Sequence, residues 1–288
     1  CKAAAKPGAL SGRARRRPYR MDIFLQQLVN GLVLGSVYAL VALGYTMVYG
    51  ILELINFAHG EITMMGAMVA LAVIGALALA APGAPGVLLL AGGLAVAIPV
   101  CVALGLLIER VAYRPLRHVP RLAPLITAIG VSIVLQNLAM LIWGKQYIPF
   151  PAILPEGRHV FFGASITDVQ IAILILAVLI MLALILVVQK TRLGRAMRAT
   201  AQSREVASLM GVDVNRVIAA TFAIGSGLAA VAGVMVSAYY GLAHYYMGFL
   251  LGLKAFSAAV LGGIGNLGGA MLGGLLLGLI ESFGAGYI

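Results

Sequence analysis

Four polar or ionisable side chains stand between two long apolar runs with almost no loop: Glu53, Asn56, His59 and Glu61, in Glu53-Leu-Ile-Asn56-Phe-Ala-His59-Gly60-Glu61. An imidazole and a carboxylate this close in sequence could serve as an acid–base pair. That chemistry needs a nucleophile or a metal beside them, and none is visible nearby. Ionisable groups at membrane depth point instead to an ion or solute path, because hydrocarbon penalises them. Two readings stay open for Asn56, His59 and Glu61: a polar cluster that caps two helices and pairs internally, or the lining or gate of a path. A second candidate is Gly263-Ile-Gly265-Asn266-Leu-Gly268, which has the spacing of a dinucleotide-binding loop. That use requires a preceding strand, a following amphipathic helix and an acidic residue about 20 positions on. The stretch lies inside the uncharged run Ala255–Ile280, so the glycines are expected to break the backbone or to let helices pack tightly. Interrupted segments in matching halves of a membrane chain often mark a transport path, which adds Gly262, Gly263, Gly265 and Asn266 to the path candidates. No G-x-x-x-x-G-K-[ST] phosphate loop is present. Cys1 and Cys101 are far apart and show no disulfide or metal spacing, and no cofactor is called for.

The elements that must position these residues are membrane helices. With 62% hydrophobic and 10% charged residues and a mean hydropathy of +1.05, the chain is excluded from the soluble globular class. Transmembrane strands would alternate apolar with polar residues, and these runs do not. The formal charge of +11 offers little to nucleic acid, because seven of the basic residues fall within residues 1–20. Uncharged runs at Leu28–Leu52, Ile62–Ala80, Val87–Ile108, Leu122–Trp143, Val169–Val188, Val217–Ala238 and Ala255–Ile280 are each long enough to cross about 30 Å as a helix. The expected fold is an all-α polytopic membrane protein of about seven to eight spans, with broken or re-entrant stretches near 53–61 and 262–269. Gln136 and Asn137 are polar enough to face protein rather than lipid. Lys254 and Glu281 flank the glycine-rich run and read as interfacial.

Two basic loops, 109–121 and 189–216, set the orientation, since such loops stay in the cytoplasm. Residues 81–86, 144–168 and 241–254 are then external, and alternation puts 53–61 inside and the N-terminus outside. The Arg-rich residues 1–20 conflict with that placement. They read as a basic extension outside the native chain, with Met21 the expected start; alternatively, 53–61 re-enters the membrane. Residues 21–288 form one transmembrane domain.

Within 189–216 lie six basic residues, Lys190, Arg192, Arg195, Arg198, Arg204 and Arg216. Its helix formers predict helix, and Val206, Leu209 and Met210 fall on one face that could seat in a partner's groove. Glu205-Val-Ala207-Ser-Leu-Met-Gly211 is similar to the loop by which membrane subunits of ABC importers engage their ATPases, with Val206 in place of an Ala. Residues 30–61 (NGLVLGSVYALVALGYTMVYGILELINFAHGE), 109–117 (ERVAYRPLR), 192–202 (RLGRAMRATAQ) and 253–274 (LKAFSAAVLGGIGNLGGAMLGG) together resemble the permease subunits of branched-chain amino-acid ABC importers. The resemblance runs from Met21 to the end. The family continues past a position like Glu281-Ser282 into another apolar segment, so a truncation at Ile288 is expected.

The resemblance implies a non-enzymatic subunit in the cell inner membrane. Its implied partners are a second permease subunit, two cytoplasmic ATP-binding subunits, a periplasmic substrate-binding protein and the lipid bilayer, with no nucleic acid. It also implies ATPase coupling through Arg195, Arg198, Glu205, Ala207 and Gly211. Runner-up readings are a related permease for urea, short amides or sugars, or a self-contained secondary transporter or channel. The last would need intramembrane carboxylates, and four of the runs hold none.

Overall fold

The computed structural model describes residues 19–288 except 118, 121, 152, 154–156 and 162. The expectation for residues 1–20 therefore lies outside the described residues, apart from Tyr19 and Arg20 at the start of the first helix. That helix, α1 (Tyr19–Leu52), is followed by α2 (His59–Ala80), α3 (Gly86–Ile108), a π-helical turn (Glu109–Tyr113) and α4 (Leu122–Trp143). Next come β1 (Ile148–Pro149), β2 (Arg158–Phe161), β3 (Ala164–Thr167), α5 (Asp168–Lys190), α6 (Arg192–Gln202) and α7 (Arg204–Leu209). The chain ends with α8 (Val214–Tyr240), β4 (Leu242–Ala243), α9 (Met247–Leu261) and α10 (Leu267–Tyr287).

Among the described residues, seven helices are long and apolar enough to cross a membrane: α1, α2, α3 with its π turn, α4, α5, α8 and α10. A chain in hydrocarbon must satisfy its own backbone, which is why the uncharged runs fold as helices. The ends follow capping chemistry. Thr167 and Gln170 form a reciprocal capping box on α5, and Thr191, Ser203, Asp213 and Asn266 cap α6, α7, α8 and α10. Helix α9, at 15 residues, is about 22 Å long and falls short of a full span.

Helix α1 is the most enclosed of the seven. It runs antiparallel to α10 along a seam of glycines. A Cβ on Gly35 would lie 2.8 Å from the Leu275 backbone, and one on Gly274 or Gly278 would strike Ala39 or Gly35. Only residues without a Cβ let the two backbones come this close.

The ends of the bundle are chemically distinct. Gln26 near the start of α1 bonds Ser165 on β3, and Phe150 N–H donates to the Gly241 carbonyl beside β4. The start of α1, the 144–168 region and the α8–α9 connection thus share one end. At the other end, Arg117 bonds Asn215 (2.5 Å) and Arg204 bonds the Ile51 carbonyl (3.0 Å), so both basic loops meet there. The 144–168 region, expected only as an external loop, contains one small hairpin, β2 with β3, and its β1 pairs antiparallel with β4 of the α8–α9 connection.

The junction at 53–58 is not a surface loop. Leu52 ends α1 at the basic end, where Glu53 takes a left-handed φ of 53°. The chain then turns back so that α2 begins at His59, packed edge-on against Tyr45 with ring centroids 4.8 Å apart. His59 also abuts Gly44, eight residues before Leu52 and therefore about 12 Å back along α1. On α4, Glu61 meets Ser132 and Gln136, which stand about 15–21 Å from the helix start at Leu122. The first turn of α2 lies near mid-depth of the bundle, which is the re-entrant alternative. Ala255–Ile280 is likewise two helices, α9 and α10, meeting at 262–266.

Candidate functional site

The first polar break builds a closed cluster. Asn56, His59 and Glu61 are each at most 2% exposed. The Tyr113 hydroxyl donates to Asn56 Oδ1 (3.0 Å), using the π turn at the end of α3 to pin the returning strand. Glu61 Oε1 accepts from Ser132 Oγ (3.1 Å) and Gln136 Nε2 (2.7 Å) on α4. Its carboxylate sits in the first turn of α2, where the helix dipole favours negative charge. Among the described residues, four buried side-chain atoms on α1 and the return into α2 have no hydrogen-bond partner: Asn56 Nδ2, His59 Nε2, Glu61 Oε2 and Thr46 Oγ1. A buried polar atom left unpaired costs about 1–3 kcal/mol. Such a concentration in one place is a polar seam rather than ordinary core.

The second break is a helical hairpin tip. Gly263 and Gly265 take φ of 85° and 94°, and the Asn266 side chain accepts from Gly269 N–H (3.2 Å) to start α10. Gly262 and Gly269 touch backbone to backbone. Gly263, Gly265 and Gly268 therefore serve a turn and a close packing, with no strand before them. Gly265 lines a cavity of about 140 Å³ together with Thr46, Gly50, Met197, Arg198 and Thr221. The two breaks do not meet directly. His59 abuts α1 at Gly44 and Gly265 lies beside Gly50, about 9 Å apart along the same helix. Phe256 of α9 bridges the gap, packing on both Tyr45 and Phe57.

At the basic end, 189–216 folds as two short helices separated by the Ser203 cap. Arg198 holds the Val188 carbonyl at the end of α5, and Arg204 Nε holds the Ile51 carbonyl at the end of α1 (3.0 Å). Ala207 is buried and Gly211 makes the left-handed turn after α7 (φ 81°). Arg195 and Glu205 are exposed. Val206, Leu209 and Met210 are 58%, 84% and 80% exposed, so the apolar stripe of α7 is unpartnered within this chain. A polar groove of about 450 Å³ runs beneath it, lined by Glu53, Leu116, Arg117, Gln202, Arg204 and Glu205. Its floor is fixed by Glu109, which is ion-paired to Arg114 (3.2 Å) and to Arg117. Burial lowers the Arg117 guanidinium from its ordinary value, with Glu109 opposing that shift.

Residues 27–288 match the family described as branched-chain amino acid transport system / permease component. The chain belongs to this family. It is 49% identical over 269 residues to the high-affinity branched-chain amino acid transport system permease protein LivH of Escherichia coli, covering 92% of this chain and 87% of that one. It is 51% identical over 267 residues to the corresponding BraD protein of Pseudomonas aeruginosa, covering 91% and 86%. It is 27% identical over 271 residues to a probable branched-chain amino acid transport permease protein LivH of Methanocaldococcus jannaschii, covering 91% and 84%. No solved structure matches.

In this permease component, several site residues escaped the sequence reading. Tyr45, Tyr113 and Ser132 carried no signal of their own, being an aromatic or a small hydroxyl in apolar runs. Gln136 was legible as a polar residue inside a span, but its neighbour Asn137 is exposed and bonds only its own helix, at the Ile133 carbonyl (2.8 Å). Lys254 and Glu281 do not stand apart at interfaces. They form an ion pair at 2.5 Å, joined by the Tyr38 hydroxyl, which donates to Glu281 Oε2 (2.9 Å). Opposite charges on two successive apolar helices, α9 and α10, were the signal that would have found this pair.

Proposed function

We propose that the permease is the membrane-spanning subunit of an ATP-driven importer that carries branched-chain amino acids, leucine, isoleucine and valine, across the inner membrane into the cytoplasm. The carrying observation is identity of about half the residues to LivH and BraD along nine-tenths of the chain. The working assembly holds a second permease subunit, two cytoplasmic ATP-binding subunits and a periplasmic receptor. The exposed stripe of α7 seats in the ATP-binding subunit, and Glu205, Ala207 and Gly211 shape that helix and its exit turn.

Geometry supports a route from docking to path. Arg204 ties α7 to the end of α1, and Arg198 ties α6 to the end of α5. A displacement of α6–α7 therefore pulls on the residues that enter the 53–58 return. That return carries Asn56 and leads into the first turn of α2, which carries His59 and Glu61, and the Gly262–Asn266 tip rests on α1 one helical stretch away. The two breaks are the elements that open and close the path. Coupling requires an element with two arrangements that both the docking helix and the gate bias, and the 53–58 return is that element in this reading.

Reconstitution tests this reading. The permease should co-purify with ATP-binding subunits, and the complete assembly should accumulate radiolabelled leucine only with ATP and a loaded receptor. ATP-independent leucine entry through the permease alone would reject it.

A further inference from the structure

The Lys254–Glu281 pair stands where an ion pair is hard to explain as packing. Tyr38, which it engages, lies 14 residues from the basic end of α1 at Leu52, or about 21 Å along it. The pair is thus at membrane depth, near the middle of α1. Its side chains are 41% and 32% exposed, so it forms part of the subunit's surface. A charge facing hydrocarbon at depth costs at least about 2.5 kcal/mol, so this face meets protein or water rather than lipid. Beside it opens a cavity of about 190 Å³, lined by Tyr38, Val236, Tyr240, Leu242, Leu251 and Lys254. Leu242 belongs to β4 at the outer end, so the cavity opens toward the side from which a receptor would deliver solute. One water needs only about 10–15 Å³ of such space, so a small organic solute fits.

We propose that this cavity is a transient site for the amino-acid zwitterion, with Lys254 taking its carboxylate, Glu281 its ammonium and the apolar wall its branched side chain. The inference rests on the transport reading above. Without solute, the two charges neutralise each other at 2.5 Å. A zwitterion carries the same two charges, so it exchanges partners with the pair and leaves no net charge at depth. The Tyr38 hydroxyl, 3.3 Å from Lys254 Nζ and 2.9 Å from Glu281 Oε2, touches both groups and holds them at the cavity rim during the exchange. The wall of Val236, Leu242 and Leu251 offers contact to an aliphatic side chain, which favours leucine, isoleucine and valine over hydrophilic amino acids.

The test uses the complete assembly in proteoliposomes, with loaded receptor and radiolabelled leucine at subsaturating concentration. Lys254→Met and Glu281→Gln should each lower initial uptake by about tenfold or more, as expected for loss of a charge-assisted contact. The deciding variant is Lys254→Met/Glu281→Met. Replacing an ion pair by apolar residues of similar size is commonly neutral or stabilising, so this variant should assemble normally and still fail to carry leucine. Wild-type uptake by the double variant overturns the proposal, because the pair is then a structural device. Failure of the double variant to assemble with its partner subunits overturns it too, and marks the face as a subunit interface. If the wild-type assembly itself moves no leucine, the transport reading fails independently of these variants.

Discussion

Glu61 shows how a single side chain can be half explained by structure. Oε1 has two donors, Ser132 and Gln136, while Oε2 has none among the described residues. A group held on one side and open on the other is suited to a change of partner. Glu61→Gln keeps an acceptor for Ser132 and Gln136, so assembly should persist while leucine uptake falls several-fold. The preferred amino acid should not change, since selection lies with the receptor and the α8–α9 wall. A changed preference with unaltered receptor binding would show Glu61 to be a recognition group. Gly265 is a different case. Nothing but the Gly50 backbone, at 4.0 Å, approaches a Cβ there, so the obstacle is its φ of 94° rather than a clash. A side chain in that conformation costs about 1–3 kcal/mol. Gly265→Leu should therefore deform the α9–α10 tip and fill the neighbouring cavity, abolishing uptake with assembly intact; normal uptake would remove the tip from the path. Of the path candidates, all the types were legible in the sequence. Their grouping was not, because Tyr45, Tyr113 and Ser132, which hold the cluster, look like any other span residues.

Among the elements, α6 and α7 were readable from helix formers and from Val206, Leu209 and Met210 on one face. The Ser203 cap that divides them was not foreseen, nor was the π turn at Glu109–Tyr113. That turn arises where a polar loop sequence continues α3 and Glu109 gathers Arg114 and Arg117 onto one buried carboxylate, a tertiary cause that local propensity does not record. The division of α6 from α7 gives the two helices separable tasks. Leu209→Asp places a charge on the exposed stripe, so it should release the ATP-binding subunits from the purified permease without loss of membrane insertion. A buried apolar anchor is worth about 2 kcal/mol or more at such a surface, roughly a 30-fold weaker complex. Arg204→Ala removes the tie to the Ile51 carbonyl. It should leave the ATP-binding subunits attached and hydrolysing ATP, with leucine carried per ATP sharply reduced. Equal loss of attachment in both variants would mean that Arg204 supports docking rather than transmission.

At the scale of the whole molecule, hydropathy located α2, α3, α4, α5 and α8 within about five residues, because backbone satisfaction in a bilayer allows little else; α1 starts nine residues before its expected run, and the run Ala255–Ile280 divides between α9 and α10. Depth was legible only as an alternative, re-entry of 53–61, raised by the conflict between the Arg-rich start and the alternation of spans. Counting spans by alternation treats 53–61 as a cytoplasmic loop, whereas the contacts of His59 with Gly44 and of Glu61 with Ser132 and Gln136 bring it to the middle of the bundle. A run of polar residues reads the same whether it lies in water or is enclosed by α1, α4, α8 and α9; only the partners distinguish them. Cysteine accessibility separates the two placements. In a Cys1→Ser background, native Cys101 is fully buried and should stay silent. Tyr147→Cys, at a position 66% exposed beside β1, should react with an impermeant thiol reagent from outside. Ser208→Cys, exposed on α7, should react only from the cytoplasmic side and be protected when the ATP-binding subunits are bound. Ala58→Cys, immediately before α2 and fully buried, should react from neither side. Ready labelling of Ala58→Cys from the cytoplasm in the resting assembly would place 53–58 in a surface loop and break the link between the docking helices and the buried cluster. Labelling that appears only during ATP turnover would show the return segment moving as the path opens.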